Sequence, residues 1–77
     1  MKVKYDYSKL RGKIVEVYGS QEKFAEALGI ERTSLSNKMA GNVEFKQKQI
    51  LKSIELLGIE NPIPYFFTIK GLQNETN

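Results

Sequence analysis

Gly29 interrupts two stretches that each read as a short helix, "QEKFAEAL" before it and "ERTSLSNKMA" after it. Few features restrict a small chain as strongly. A sharp bend between two helices needs a residue at positive φ, and glycine adopts that conformation without a Cβ penalty. Ala25 lies four residues earlier and is small enough to let two helix backbones approach closely. Ile30 and Leu35 have the spacing of a hydrophobic staple around a helix that starts near Glu31. Leu35 would then pack back under the bend. The pattern predicts a helix-turn-helix unit over about 20–41.

The flanking sequence continues in the same style. Ser8 is a predicted N-cap for a helix whose inner face is Leu10, Ile14 and Val17, closed after Tyr18 by Gly19. Ser20 is expected to cap the next helix, with Glu22 at the positive end of its dipole and Phe24, Ala25 and Leu28 turned inward. In the third helix Leu35 and Met39 face the core, and Gly41-Asn42 closes it. Ile50, Leu51, Ile54 and Leu57 define a fourth helix over roughly 46–57, stopped by Gly58. Asn61-Pro62 or Pro64 opens a fifth short turn carrying Ile63, Phe66 and Phe67. The opening "MKVKYDY" reads as a flexible arm or a strand-like lead-in, and the polar 70–77 as a frayed tail. The expected fold is all-α, a compact bundle of about five short helices forming one domain over 1–69.

Composition narrows the function. At 77 residues and 40% apolar the chain is near the lower limit for a self-sufficient core, so dimerisation is a natural supplement. Having no Cys and no His, it offers neither a thiolate metal site nor the usual residue for proton transfer near neutral pH. Its carboxylates are scattered singly, and no phosphate loop or nucleophile elbow is present. An enzyme is not expected, nor a cofactor, a metal or a small-molecule ligand. No apolar run approaches a membrane span or a signal-peptide core, and a cytoplasmic location is expected. The net charge of +3 permits a polyanionic partner without demanding one. Lys2, Lys4, Lys9, Arg11 and Lys13 form a basic leading segment, which reads either as an arm near phosphates or, with Asp6 and Glu16 diluting it, as a solvated surface.

With Leu35 and Met39 inward, the residues left outward near the start of the third helix are Arg32, Thr33, Ser36 and Asn37. Arg can pair with guanine, Asn with adenine, and Thr offers a methyl to thymine. Their shortness lets a helix backbone enter a groove. An ordinary solvated surface also uses Ser, Thr and Asn, so the turn pattern, more than the composition, favours the DNA reading.

The segment "SQEKFAEALGIERTSLSNKMAG" resembles the helix-turn-helix core of the Cro/CI-type (Xre-like) repressors. The likeness to small phage and prophage regulators rests on Tyr18, Gly19, Ser20, Gln21, Phe24, Ala25, Leu28, Gly29, Ile30, Thr33 to Lys38, Gly41 and Phe45, with "ELLGI" and "YFF" beyond, and covers roughly 5–69. It implies a lambda-repressor-like bundle whose helix over about 31–40 enters the major groove of double-stranded operator DNA. By that resemblance Arg32, Thr33 and Asn37 touch bases. Gln21, Ser34, Ser36, Lys38, Asn42, Lys46 and Gln47 would grip phosphate or brace the readers. Two positions depart from the pattern: Glu31 stands where a Ser or Thr cap is common, and Lys38 where an apolar residue is common.

Phe66 is expected to close the core, whereas Ile63, Tyr65, Phe67 and Ile69 are apolar enough for a two-fold interface. A homodimer would read half-sites ~34–36 Å apart, or a multiple of that, which implies a near-palindromic operator and repression by excluding polymerase. The alternative is a protein-binding helical module, such as an antitoxin-like or anti-repressor component, whose helix-turn-helix meets another protein. Salt separates the two, since DNA binding weakens steeply as ionic strength rises.

Overall fold

The computed structural model describes residues 4–69. Five helices follow in chain order: α1 (Ser8–Tyr18), α2 (Gln21–Leu28), α3 (Arg32–Met39), α4 (Gln47–Leu57) and α5 (Ile63–Phe66). The fold is all-α. Among the described residues the one sheet-like pairing is an isolated antiparallel bridge between Tyr5 and Ile69. The expected tail over 70–77 lies outside the described residues.

α1 begins one step differently from the sequence expectation. Ser8 is the first helical residue, not the cap. Asp6 supplies the acceptor: its Oδ1 takes the Ser8 N–H at 2.9 Å and also the Ser8 hydroxyl. A carboxylate there satisfies an orphan amide and complements the helix dipole. The buried face also drifts. Leu10 and Ile14 are fully buried as expected, but Val17 is exposed, and the half-buried Tyr18 takes its place. Tyr18 packs on Phe24 of α2 with ring centroids 5.5 Å apart. A stripe at 10, 14 and 18 holds the i, i+4 row, and the longer aromatic ring reaches α2 where a valine cannot.

Ser20 caps α2 as predicted, accepting the Lys23 N–H at 3.2 Å. Phe24, Ala25 and Leu28 are buried beneath it. α4 departs from its predicted face: Leu57 is buried and Ile50 and Ile54 are half-buried, but Leu51 is 60% exposed. Ser53 is fully buried instead, and its hydroxyl donates to the Gln49 carbonyl at 2.7 Å. The small side chain suits the packing of α4 on α2, and the back-bond removes the cost of burying its oxygen.

Leu10, Ile14, Phe24, Leu35 and Phe66 are at most 2% exposed, each worth roughly 1.5–3 kcal/mol of burial. At one end the core continues as a chain of rings. Tyr5 lies 6.3 Å from Tyr7, Tyr7 is edge-on to Phe45 at 5.3 Å, and Phe45 is edge-on to Phe66 at 5.4 Å. The lead-in is thus strand-like and docked: Asp6 N–H donates to the Thr68 carbonyl at 2.7 Å, and Tyr5 sits edge-on to Phe67 at 6.0 Å.

Candidate functional site

The presentation of α3 starts at Gly29, with φ +85°. Its N–H donates to the Ala25 carbonyl at 2.9 Å, and the Ile30 N–H shares that carbonyl at 3.0 Å, which ends α2 and turns the chain within three residues. A Cβ built on Gly29 would meet nothing within 4 Å. Glycine is therefore needed for conformation, not for space. Glu31 is the extended N-cap of α3 and makes no side-chain capping bond. Leu35 and Met39 point into the core as predicted.

Arg32, Thr33, Ser34, Ser36 and Asn37 are all exposed. At 100° per residue, Arg32 and Ser36 lie one turn apart, as do Thr33 and Asn37; Thr33 and Asn37 stand opposite Leu35 and Met39, while Arg32 and Ser36 flank the buried face. Asn42, Lys46 and Gln47 are exposed beyond α3, and Gln21 is half-buried at the start of α2. The Lys46 N–H donates to Gln49 Oε1 at 2.9 Å, so the α4 entry is braced by Gln49 and the Lys46 ammonium is not used as a cap.

Lys38 differs in exposure from its polar neighbours on α3. It is only 7% exposed because it lies on the core side of α3 between Leu35 and Met39, where its alkyl stem is laid against the fold. The exposed charge from α2 to the start of α4 is then balanced: Glu22, Glu26, Glu31 and Glu44 against Lys23, Arg32, Lys46 and Lys48. The basic excess of the chain lies elsewhere, in the lead-in and α1, where Lys4, Lys9 and Arg11 are exposed.

The candidate dimer residues differ in exposure. Ile63, Phe67 and Ile69 are exposed. Tyr65 is half-buried and turned toward α1, with the Lys9 ammonium 5.5 Å from its ring centroid, while Phe67 packs on Tyr5.

Sequence reasoning missed a groove beside α3. Tyr5, Tyr7, Glu44, Phe45, Ile50 and Phe67 line a hollow of about 150 Å³. A second hollow of about 220 Å³ adjoins it, floored by Tyr5 and Tyr7 and walled by Gly41 to Glu44 with Lys4. Burial raises the Tyr7 phenol above its ordinary value, and Tyr5 and Glu44 add to the shift. The "YDY" and "VEF" segments were the available signal, but nothing local shows that they meet. Among the described residues no group of three or more His, Cys, Asp or Glu side chains is placed to hold a metal ion, and no helix is long and apolar enough to cross a membrane.

Comparison with known proteins follows this geometry. A family profile described as "Protein of unknown function (DUF739)" matches residues 3–69. No curated protein matches the chain. Among solved structures the chain is similar to the solution structure of the modulator of repression (MOR) of the temperate bacteriophage TP901-1 from Lactococcus lactis. The identity is 41% and the TM-score 0.69, with 82% of this chain and 86% of that chain covered.

Proposed function

We propose a function from one premise: the chain belongs to the DUF739 family, described as proteins of unknown function. The similar solved structure is that of a phage modulator of repression. We infer that this chain is likewise a phage regulator, not an enzyme, and that it acts on a repressor by direct protein contact through the outward face of α3.

The balanced exposed charge of the segment from α2 to the start of α4 carries the reading. Gripping a duplex needs several cations that neutralise phosphates. Here Lys38 is largely buried, and the exposed Glu22, Glu26, Glu31 and Glu44 offset the exposed cations of the same segment. Small polar side chains around one exposed Arg suit a protein surface instead. They let the α3 backbone approach closely, and Arg is enriched among interface anchors. By linkage, a contact that differs between DNA-bound and free repressor shifts operator occupancy without this chain touching a base.

The test is calorimetric titration with the repressor of the same phage, at low and at high salt, beside a gel-shift series with its operator. Binding to repressor that persists at high salt, with little binding to DNA alone, is the expected result. Tight operator binding with a steep salt slope and no repressor contact would reverse the assignment.

A second reading keeps the Cro/CI resemblance. It is favoured by the exposure of Arg32, Thr33 and Asn37 along one arc of α3, which suits base readout of a near-palindromic operator by a homodimer. Ile63, Phe67 and Ile69 would supply the contact between copies.

A further inference from the structure

We propose that the groove between the lead-in, the α3–α4 loop and Phe67 is a socket for one apolar side chain of the repressor, with a Lys or Arg beside it paired to Glu44. This rests on the repressor-contact reading and gives that contact its anchor point. Three observations point the same way. The hollow beside Phe67 has about 150 Å³ and is open to solvent, so it can seat part of one side chain without enclosing it. Its wall is largely aromatic and aliphatic, with Tyr5, Tyr7, Phe45, Ile50 and Phe67, and the tyrosines and Glu44 add polar surface to it. Glu44 lines both hollows and is exposed, so it sets a negative charge at the rim of a hydrophobic seat.

Charge complementarity therefore selects the occupant: an aromatic or long aliphatic side chain carried next to a cation. Lys4 lines the larger hollow and is absent from the smaller one, so of the lining residues of the smaller one Glu44 is the one that carries charge. Continuity selects the partner. Gly41, Asn42 and Val43, which close α3, also wall the larger hollow, so a protein lying on α3 is carried directly over the groove. A buried apolar anchor at the edge of a polar helix face is the arrangement that concentrates binding energy in a few residues.

The experiment has two arms. In the first, the free chain is titrated with 2-phenylethylammonium and, separately, with phenylacetate, and followed by amide NMR. The cation is expected to shift the Glu44, Phe45 and Phe67 amides, the anion to leave them in place, and Glu44→Gln to reduce the response. In the second arm, affinity for the repressor is measured for Phe67→Ala and Glu44→Lys. Phe67→Ala is expected to lose about fivefold or more, and Glu44→Lys roughly fivefold. The NMR spectrum of each free variant establishes that the bundle is intact.

If the repressor binds and both variants stay within twofold, the socket is overturned while the repressor reading stands. If the repressor does not bind at all, that reading fails, and the first arm alone judges the groove: equal or absent responses to the two probes overturn it. Self-association in sedimentation that Phe67→Ala abolishes would assign the groove to a second copy and also overturn the proposal.

Discussion

Leu35→Ala tests how α3 is held. The side chain is fully buried, so the substitution removes three carbons from a dry site. At ~0.8 kcal/mol per buried methylene the transfer loss is about 2.4 kcal/mol, and the cavity left behind carries comparable substitutions to about 3–5 kcal/mol. A domain of 77 residues is expected to have about 4–12 kcal/mol in total. The change therefore consumes a large part of the margin and lowers Tm by more than ~12 °C. An eight-residue helix such as α3 does not persist without tertiary packing, so partner binding should fall along with stability. Urea denaturation followed by circular dichroism measures the loss. The control is Leu51→Ala, an identical deletion at a position 60% exposed, expected to stay within ~0.5 kcal/mol. Equal effects of the two substitutions would refute the placement of α3 on the core through Leu35.

Gly29→Ala should cost about 1–2 kcal/mol through backbone strain alone, because φ is +85° while the space around the new methyl is open; a urea midpoint unchanged from wild type would contradict the turn geometry. Ser20→Ala removes the acceptor of the Lys23 amide and is expected to lower stability by ~1 kcal/mol in the same assay. Tyr7 gives a pH signature, since burial first, then Tyr5 and Glu44, raise its phenol above 10.0. The folded state holds that proton more tightly than the unfolded one. Its contribution is complete below pH ~10 and is lost as pH rises through the folded value; a Tyr7→Phe variant with the same alkaline stability profile as wild type would count against this.

The turn at the centre of the fold was legible because each of its requirements is local. Ser20 is a cap by its position before a periodic run, Gly29 by its place between two, and Leu35 by its staple spacing. What failed was everything that depends on the neighbour across the core. Period alone puts Val17 and Leu51 on apolar faces, yet Tyr18 reaches Phe24 where Val17 does not, and α4 buries Ser53 while Leu51 stays exposed. No feature of an isolated serine says that its hydroxyl will bond its own helix and be buried. The burial of Lys38 was not legible for a related reason: its charge reads as outward, while its four-carbon stem is long enough to be laid against the fold. The groove was the least legible element, since it joins Tyr5 and Tyr7 to Phe45 and Phe67 across most of the described chain.

The pairing of Tyr5 with Ile69, reinforced by the bond from Asp6 to Thr68, leaves both limits of the described fold side by side. A covalent link between positions 5 and 69 would close a loop spanning nearly all of the described fold, and the entropy of that closure would then favour the native state. The same adjacency makes the bundle a candidate for circular permutation, with new ends cut at the exposed Gly41-Asn42. It also puts a fluorophore attached at either limit on one flank of the molecule, within reach of whatever enters beside Tyr5.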